Sequence, residues 1–127
     1  MSQKYCVRKK TNVSVDKEKA LFYAVPITSG IISTKKLASI ISDRCTGTAS
    51  DVLLVLDALS TVMKEQLLQG KKVHFNDIGL FSLSISSPGF EDPKDCTPRK
   101  VGAKRICFLA DKELKNLLPK VEFERVE

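Results

Sequence analysis

The residues of this chain best suited to nucleophilic, redox or metal chemistry are four cysteines and one histidine. Cys6, Cys45, Cys96 and Cys107 contain no CxxC pair and no regular interval, and His74 is the single histidine. A structural zinc site gathers several Cys or His ligands at short spacings, so no metal site is expected and the thiols are read as reduced, small apolar groups. There is no glycine-rich phosphate loop and no GxSxG elbow. Asp43, Asp57 and Glu65 fall on helical stretches at no spacing that would pair a general acid with a base. The expectation is a chain that is not an enzyme and needs no cofactor.

What remains is positive charge, and its placement is informative. The net charge is +6. Residues 1–30 hold six Lys/Arg against two Asp/Glu, and residues 71–109 hold seven against four. Residues 31–70 balance at four against four, and residues 110–127 hold four against five. The excess therefore lies outside the helical middle, on segments that read as strands and loops, which is a footprint suited to a polyanion.

At 127 residues the chain has room for one domain with a modest appendage. A hydrophobic fraction of 43% and a charged fraction of 28% suit a folded globular chain rather than a disordered one. No apolar run, Val52 to Leu56 among them, approaches the roughly 20 residues that span a bilayer, and no apolar signal region follows Met1. A cytoplasmic protein with no membrane partner and no small-molecule substrate is expected.

The elements that must position the charge follow from periodicity. Lys4 to Lys10 and Ala20 to Pro26 are rich in Tyr, Val and Phe, and the polar run Thr11 to Lys19 separates them, which predicts a β-hairpin. After Thr28-Ser29-Gly30, the residues Leu37, Ile40, Ile41 and Cys45 repeat at helical spacing, with Ser33 or Thr34 as N-cap. Thr46-Gly47 closes that helix, and Thr48-Ala49-Ser50-Asp51 is a capping box for the next. The second helix runs to just before Gly70 and is apolar on more than one side, with Leu53, Leu54, Leu56 and Leu59 as candidates for a dimer interface. A helix of that kind needs two burial surfaces, and a self-partner supplies the second. Val73 and Phe75, then Phe81, Leu83 and Ile85, alternate as two strands around Asp77-Ile78-Gly79. Ser87 to Lys104 holds three prolines and two glycines without a core-facing pattern, so it reads as a functional excursion, after which Ile106 and Phe108 resume the sheet. Asp111 is placed as an N-cap for a short helix through Leu118, stopped by Pro119, and Val121 and Phe123 begin a terminal strand that pairs with the N-terminal hairpin.

In order, these elements resemble the HU/IHF histone-like family of bacterial DNA-binding proteins. Gly70 to Leu83 (GKKVHFNDIGLFSL) is similar to the family segment leaving the second helix, and Lys104 to Leu118 (KRICFLADKELKNLL) to its return strand and closing helix. The resemblance covers about residues 31–118. It implies an α+β, IHF/HU-like fold: a helical base, a three-stranded antiparallel sheet, a β-ribbon arm, and here extra terminal strands. The corresponding division is an N-terminal hairpin extension (1–30), a DNA-binding domain (31–118), and a C-terminal strand (119–127) paired with the extension. It further implies an architectural, nucleoid-associated homodimer that holds double-stranded DNA by its phosphates and reads sequence weakly, through DNA deformability.

Lys71, Lys72, Arg99, Lys100, Lys104 and Arg105 cluster on the hairpin and arm as candidate phosphate contacts, and the resemblance adds Lys35 and Lys112. Phe90, Pro93 and Pro98 are candidate wedges between base steps. The chain departs from the family pattern in the arm, where Ser82, Ser84 and Ser86 stand at the root, Glu91, Asp92 and Asp95 near the tip, and no Arg-Asn-Pro occurs. Two other readings stay open. One is a protein-interaction module of the same fold that has lost DNA binding. The other is RNA binding by the same basic surface, with Tyr5 and Tyr23 available for base stacking.

Overall fold

The structure, a computed structural model, describes residues 2–11 and 20–126. The polar connection of the N-terminal hairpin, residues 12–19, lies outside the described residues. Two compact units emerge: residues 1–33 with 117–127, and residues 34–116.

In the first unit β1 (Gln3–Thr11) and β2 (Ala20–Ile27) form an antiparallel hairpin, with Lys4 opposite Ile27 and Lys10 opposite Leu21. The C-terminal strand β6 (Phe123–Arg125) pairs parallel to β1, giving the order β2-β1-β6. Tyr5 and Phe123 meet edge to face, with ring centroids 6.5 Å apart. Cys6 is buried in this sheet.

The second unit opens with α1 (Thr34–Ser42) and α2 (Ala49–Leu68). The capping box forms as its spacing predicts: Asp51 N–H donates to Thr48 Oγ1 at 3.2 Å, and Thr48 N–H donates to Asp51 Oδ2 at 3.4 Å. Gly70, at φ 81°, ends α2 in the left-handed conformation that glycine adopts without penalty. Gly70 N–H reaches Leu67 O at 3.0 Å and Lys71 N–H reaches Gln66 O at 3.1 Å, the paired bonds of a Schellman motif. That reversal delivers Lys71 and Lys72 directly to the sheet.

The sheet is β3 (Val73–Phe75), β4 (Gly79–Ser86) and β5 (Gly102–Ala110), antiparallel in that order. Its register sets Val73 against Phe81 and Phe81 against Phe108, and Leu83 against Ile106, so these residues share one apolar face. The Phe75, Phe81 and Phe108 rings stack along it, with centroids 5.7 and 4.9 Å apart. An open apolar cleft of about 290 Å³ lies between this face and the end of α2, lined by Lys64, Leu67, Leu68, Leu83 and Ile106. At Gly79 the strands approach so closely that a Cβ would stand 2.5 Å from the Leu109 carbonyl oxygen and from the Phe108 ring.

Three expectations change. The closing helix α3 is four residues, Lys112–Lys115, followed by a separate 3₁₀ turn at Leu118–Lys120 rather than a helix through Leu118. Beyond the Ser86–Gly102 pair the arm is not a ribbon: residues 87–101 form no strand and fold through 3₁₀ turns at Pro93–Asp95 and Pro98–Lys100. The first helix ends at Ser42 rather than running through Cys45 to Thr46-Gly47. Ala38 is buried, whereas Leu37 and Ile41 are exposed.

In the second unit only Ala38 and Leu67 are buried apolar residues among those described. On α2, Leu53 and Leu56 are half-buried, while Leu54, Val55, Leu59 and Val62 are exposed, Leu54 at 69%. Val55, Leu59 and Val62 recur at helical spacing as one uncovered stripe, with Leu54 exposed beside it.

Candidate nucleic-acid interface

The face of the second sheet opposite the phenylalanines has a different character. His74, Leu80, Ser82 and Ser84 alternate outward along β3 and β4, opposite Leu109, Cys107 and Arg105 on β5. Small hydroxyl side chains keep this face low, and Arg105 stands opposite Ser84, whose Oγ donates to the Arg105 carbonyl at 3.3 Å. The register slips between Ser84 and Ile85, inserting Lys104 as an extra residue in β5. Such a bulge increases local twist and re-aims the strand where the arm begins.

The β3–β4 turn is held by a residue from 34 positions away. Asp111 occupies the N-cap position of α3, yet its carboxylate makes no cap bond. It accepts instead from Asp77 N–H at 3.1 Å and lies 2.9 and 3.1 Å from His74 Nε2. In return Asp111 N–H donates to Ile78 O at 2.9 Å. Asp77 sits at φ 66°, a left-handed conformation that aspartate tolerates better than most side chains. Asp111 thus closes the turn rather than the helix, and it orients His74, which remains half exposed on the outward face. Sequence reasoning missed this role because Asp before a helix already had a local explanation.

The candidate phosphate contacts fall into groups. Lys71 and Lys72 follow the α2 cap, Lys104 and Arg105 lie on β5, and all four are exposed. Lys112 opens α3 immediately after Asp111 and is exposed at the β3–β4 turn end of the sheet, away from the arm. Arg99 and Lys100 lie in the second 3₁₀ turn of the arm. Lys35 is exposed on α1.

The candidate wedges sit in a folded arm. Pro93 and Pro98 each open a 3₁₀ turn, the first capped by the Asp92 carboxylate, which accepts from Lys94 N–H at 3.0 Å. Phe90 is half-buried, with Lys100 Nζ 5.0 Å from its ring centroid, a cation–π geometry that occupies one ring face.

All four cysteines are free thiols, and the described residues contain no cluster of potential metal ligands. No described helix is long and apolar enough to cross a membrane.

A helical hairpin beneath a three-stranded sheet whose last two strands run out into an arm defines an HU-like fold. The chain matches the model of the HU-HIG family, an HU domain fused to a wHTH, Ig, or glycine-rich motif, over residues 1–125, and it belongs to that family. Among solved structures it is similar to a candidate bacterial DNA-binding protein from Bacteroides vulgatus ATCC 8482, with TM-score 0.64 and 13% identity over 98% of this chain. The chain spans about half of that protein, 48% of its length. It is also similar to HU from Anabaena in a cocrystal with DNA, with TM-score 0.53 and 18% identity, over 69% of this chain and 99% of the other. No curated protein matches the chain.

Proposed function

We propose that this protein is an architectural, histone-like factor that binds double-stranded DNA as a homodimer with weak sequence preference, and is cytoplasmic and nucleoid-associated. The observation that carries the reading is the two-faced sheet of the second unit. One face is aromatic and turned to the end of α2; the other carries Ser82 and Ser84 among His74, Leu80, Cys107 and Leu109 and is flanked by Lys71, Lys72, Lys104, Arg105 and Lys112. Small side chains let a duplex approach, and flanking cations neutralise its phosphates. Arg99 and Lys100 extend the positive strip into the arm, while Lys35 is a peripheral contact. Few base-reading groups stand on the face, so specificity rests on how readily the duplex deforms. The HU-like family and the Anabaena HU–DNA cocrystal support the same partner.

Phe90, Pro93 and Pro98 remain the wedge candidates; wedging by Phe90 requires Lys100 to leave its ring. The homodimer reading rests on the uncovered apolar residues of α2, Leu54 and Leu59 among them, with the half-buried Leu53 and Leu56 in or near the proposed interface.

The test is a salt titration of binding to duplex DNA, duplex RNA and unrelated duplex sequences. Binding should fall linearly on a log–log plot, by about 0.9 per phosphate neutralised. Replacing Arg99, Lys100, Lys104 and Arg105 by alanine should flatten the slope by about 3 to 4 and weaken all duplex sequences alike. An unchanged slope in that variant rejects the proposed face, and preference for duplex RNA rejects the proposed partner.

A further inference from the structure

We propose that the N-terminal hairpin of the first unit is a separate binding site for single-stranded DNA, built from Arg8, Lys9 and Lys10 on β1 and Phe22 and Tyr23 on β2. Register places the five residues in adjacent cross-strand pairs: Arg8 opposite Tyr23, Lys9 opposite Phe22, and Lys10 opposite Leu21. Cross-strand partners share a sheet face, so Arg8, Lys10 and Tyr23 stand on one side and Lys9 and Phe22 on the other. Each face therefore carries an aromatic ring with a cation beside it. On the first the pairing is direct, since Lys10 Nζ lies 6.0 Å from the Tyr23 ring centroid.

Three features distinguish this from an ordinary solvated strand. The described part of the hairpin, residues 2–11 and 20–33, has four Lys/Arg and no Asp or Glu. Phe22 is 67% exposed and Tyr23 42% exposed, which is costly surface for rings with no ligand. Both rings lie on β2, the outer strand of the sheet among the described residues. Cations that track a backbone and aromatics on which unpaired bases stack are the two components of single-strand recognition. A duplex keeps its bases stacked on one another and would use only the cations. The aromatics are what assign the single strand.

The full chain is tested by fluorescence anisotropy against a labelled 20-nucleotide thymidine oligomer and a 20-base-pair duplex over a range of salt. The double variant Lys9→Ala/Lys10→Ala should bind the oligomer more weakly, with the log–log salt slope reduced by about 1.4, two single-strand phosphates at about 0.7 each. Phe22→Ala, at an exposed position where folding tolerates truncation, should weaken oligomer binding about tenfold and leave the slope unchanged, because stacking releases no counterions. Duplex binding through the second unit should persist in both variants, which separates this site from the proposed DNA face. Circular dichroism melts establish that the variants are folded, with Tyr23→Ala as a second probe of stacking. Wild-type affinity for the oligomer in both variants overturns the proposal, as does loss of duplex binding alone. A change in sedimentation of Phe22→Ala also overturns it, by identifying the ring as a self-contact.

Discussion

Leu54→Asp tests the proposed homodimer most directly. Leu54 is 69% exposed on the single chain, near the N-terminal end of α2 and beside the exposed stripe of Val55, Leu59 and Val62. Complete burial of a leucine side chain is worth about 1.5–3 kcal/mol, so covering the exposed part contributes about 1–2 kcal/mol. A two-fold interface contains the residue twice, which makes about 2–4 kcal/mol per dimer. At 1.4 kcal/mol per tenfold, the dimer dissociation constant should rise roughly 30- to 1,000-fold, and a carboxylate in an apolar interface adds to that loss. Sedimentation equilibrium over a concentration series measures the constant. Glu65→Gln, an exposed position on the same helix, serves as the control that should leave it unchanged. Because the second unit has so little core of its own, loss of helical circular dichroism should accompany dissociation. A wild-type chain that sediments as a folded monomer at tens of micromolar, or a Leu54→Asp chain that dimerises as wild type does, refutes the reasoning.

Other substitutions probe the geometry that positions the sheet. Gly79→Ala puts a methyl 2.5 Å from the Leu109 carbonyl oxygen, a backbone atom that cannot step aside, and should destabilise the fold by about 1–3 kcal/mol in urea melts. Asp111→Ala removes the acceptor for Asp77 N–H and the partner of His74, and should cost about 1 kcal/mol, with faster amide exchange at Asp77 and Ile78 as the local signature. If exchange there is unchanged, the carboxylate is not what closes the turn. Thr48→Ala breaks the capping box and should lower stability by about 1 kcal/mol, read as a shift in the urea midpoint without a change in slope.

Much of the fold was decided within short windows of sequence. The capping box at Thr48-Ala49-Ser50-Asp51 forms because both of its hydrogen bonds close within three residues. The alternation of Val73, Phe75, Phe81 and Leu83 becomes a sheet face because a strand turns over every second residue. The basic stretches of β1 and β5 were likewise visible as composition before either strand had a partner. Tertiary structure alone decided the rest. Asp111 had a sound local reading as a helix cap, but folding brings Asp77 and His74 within 3.1 Å and the carboxylate serves them instead. The family resemblance implied a ribbon arm, yet the prolines of this segment and Asp92 favour tight 3₁₀ turns once the pairing ends at Ser86. Leu37 and Ile41 had the spacing of a core stripe, and spacing specifies that a face is apolar without specifying which surface covers it. Periodicity and capping act over one turn of chain and are written locally, whereas burial and long-range hydrogen bonds depend on which distant residues arrive, and only the folded structure contains them.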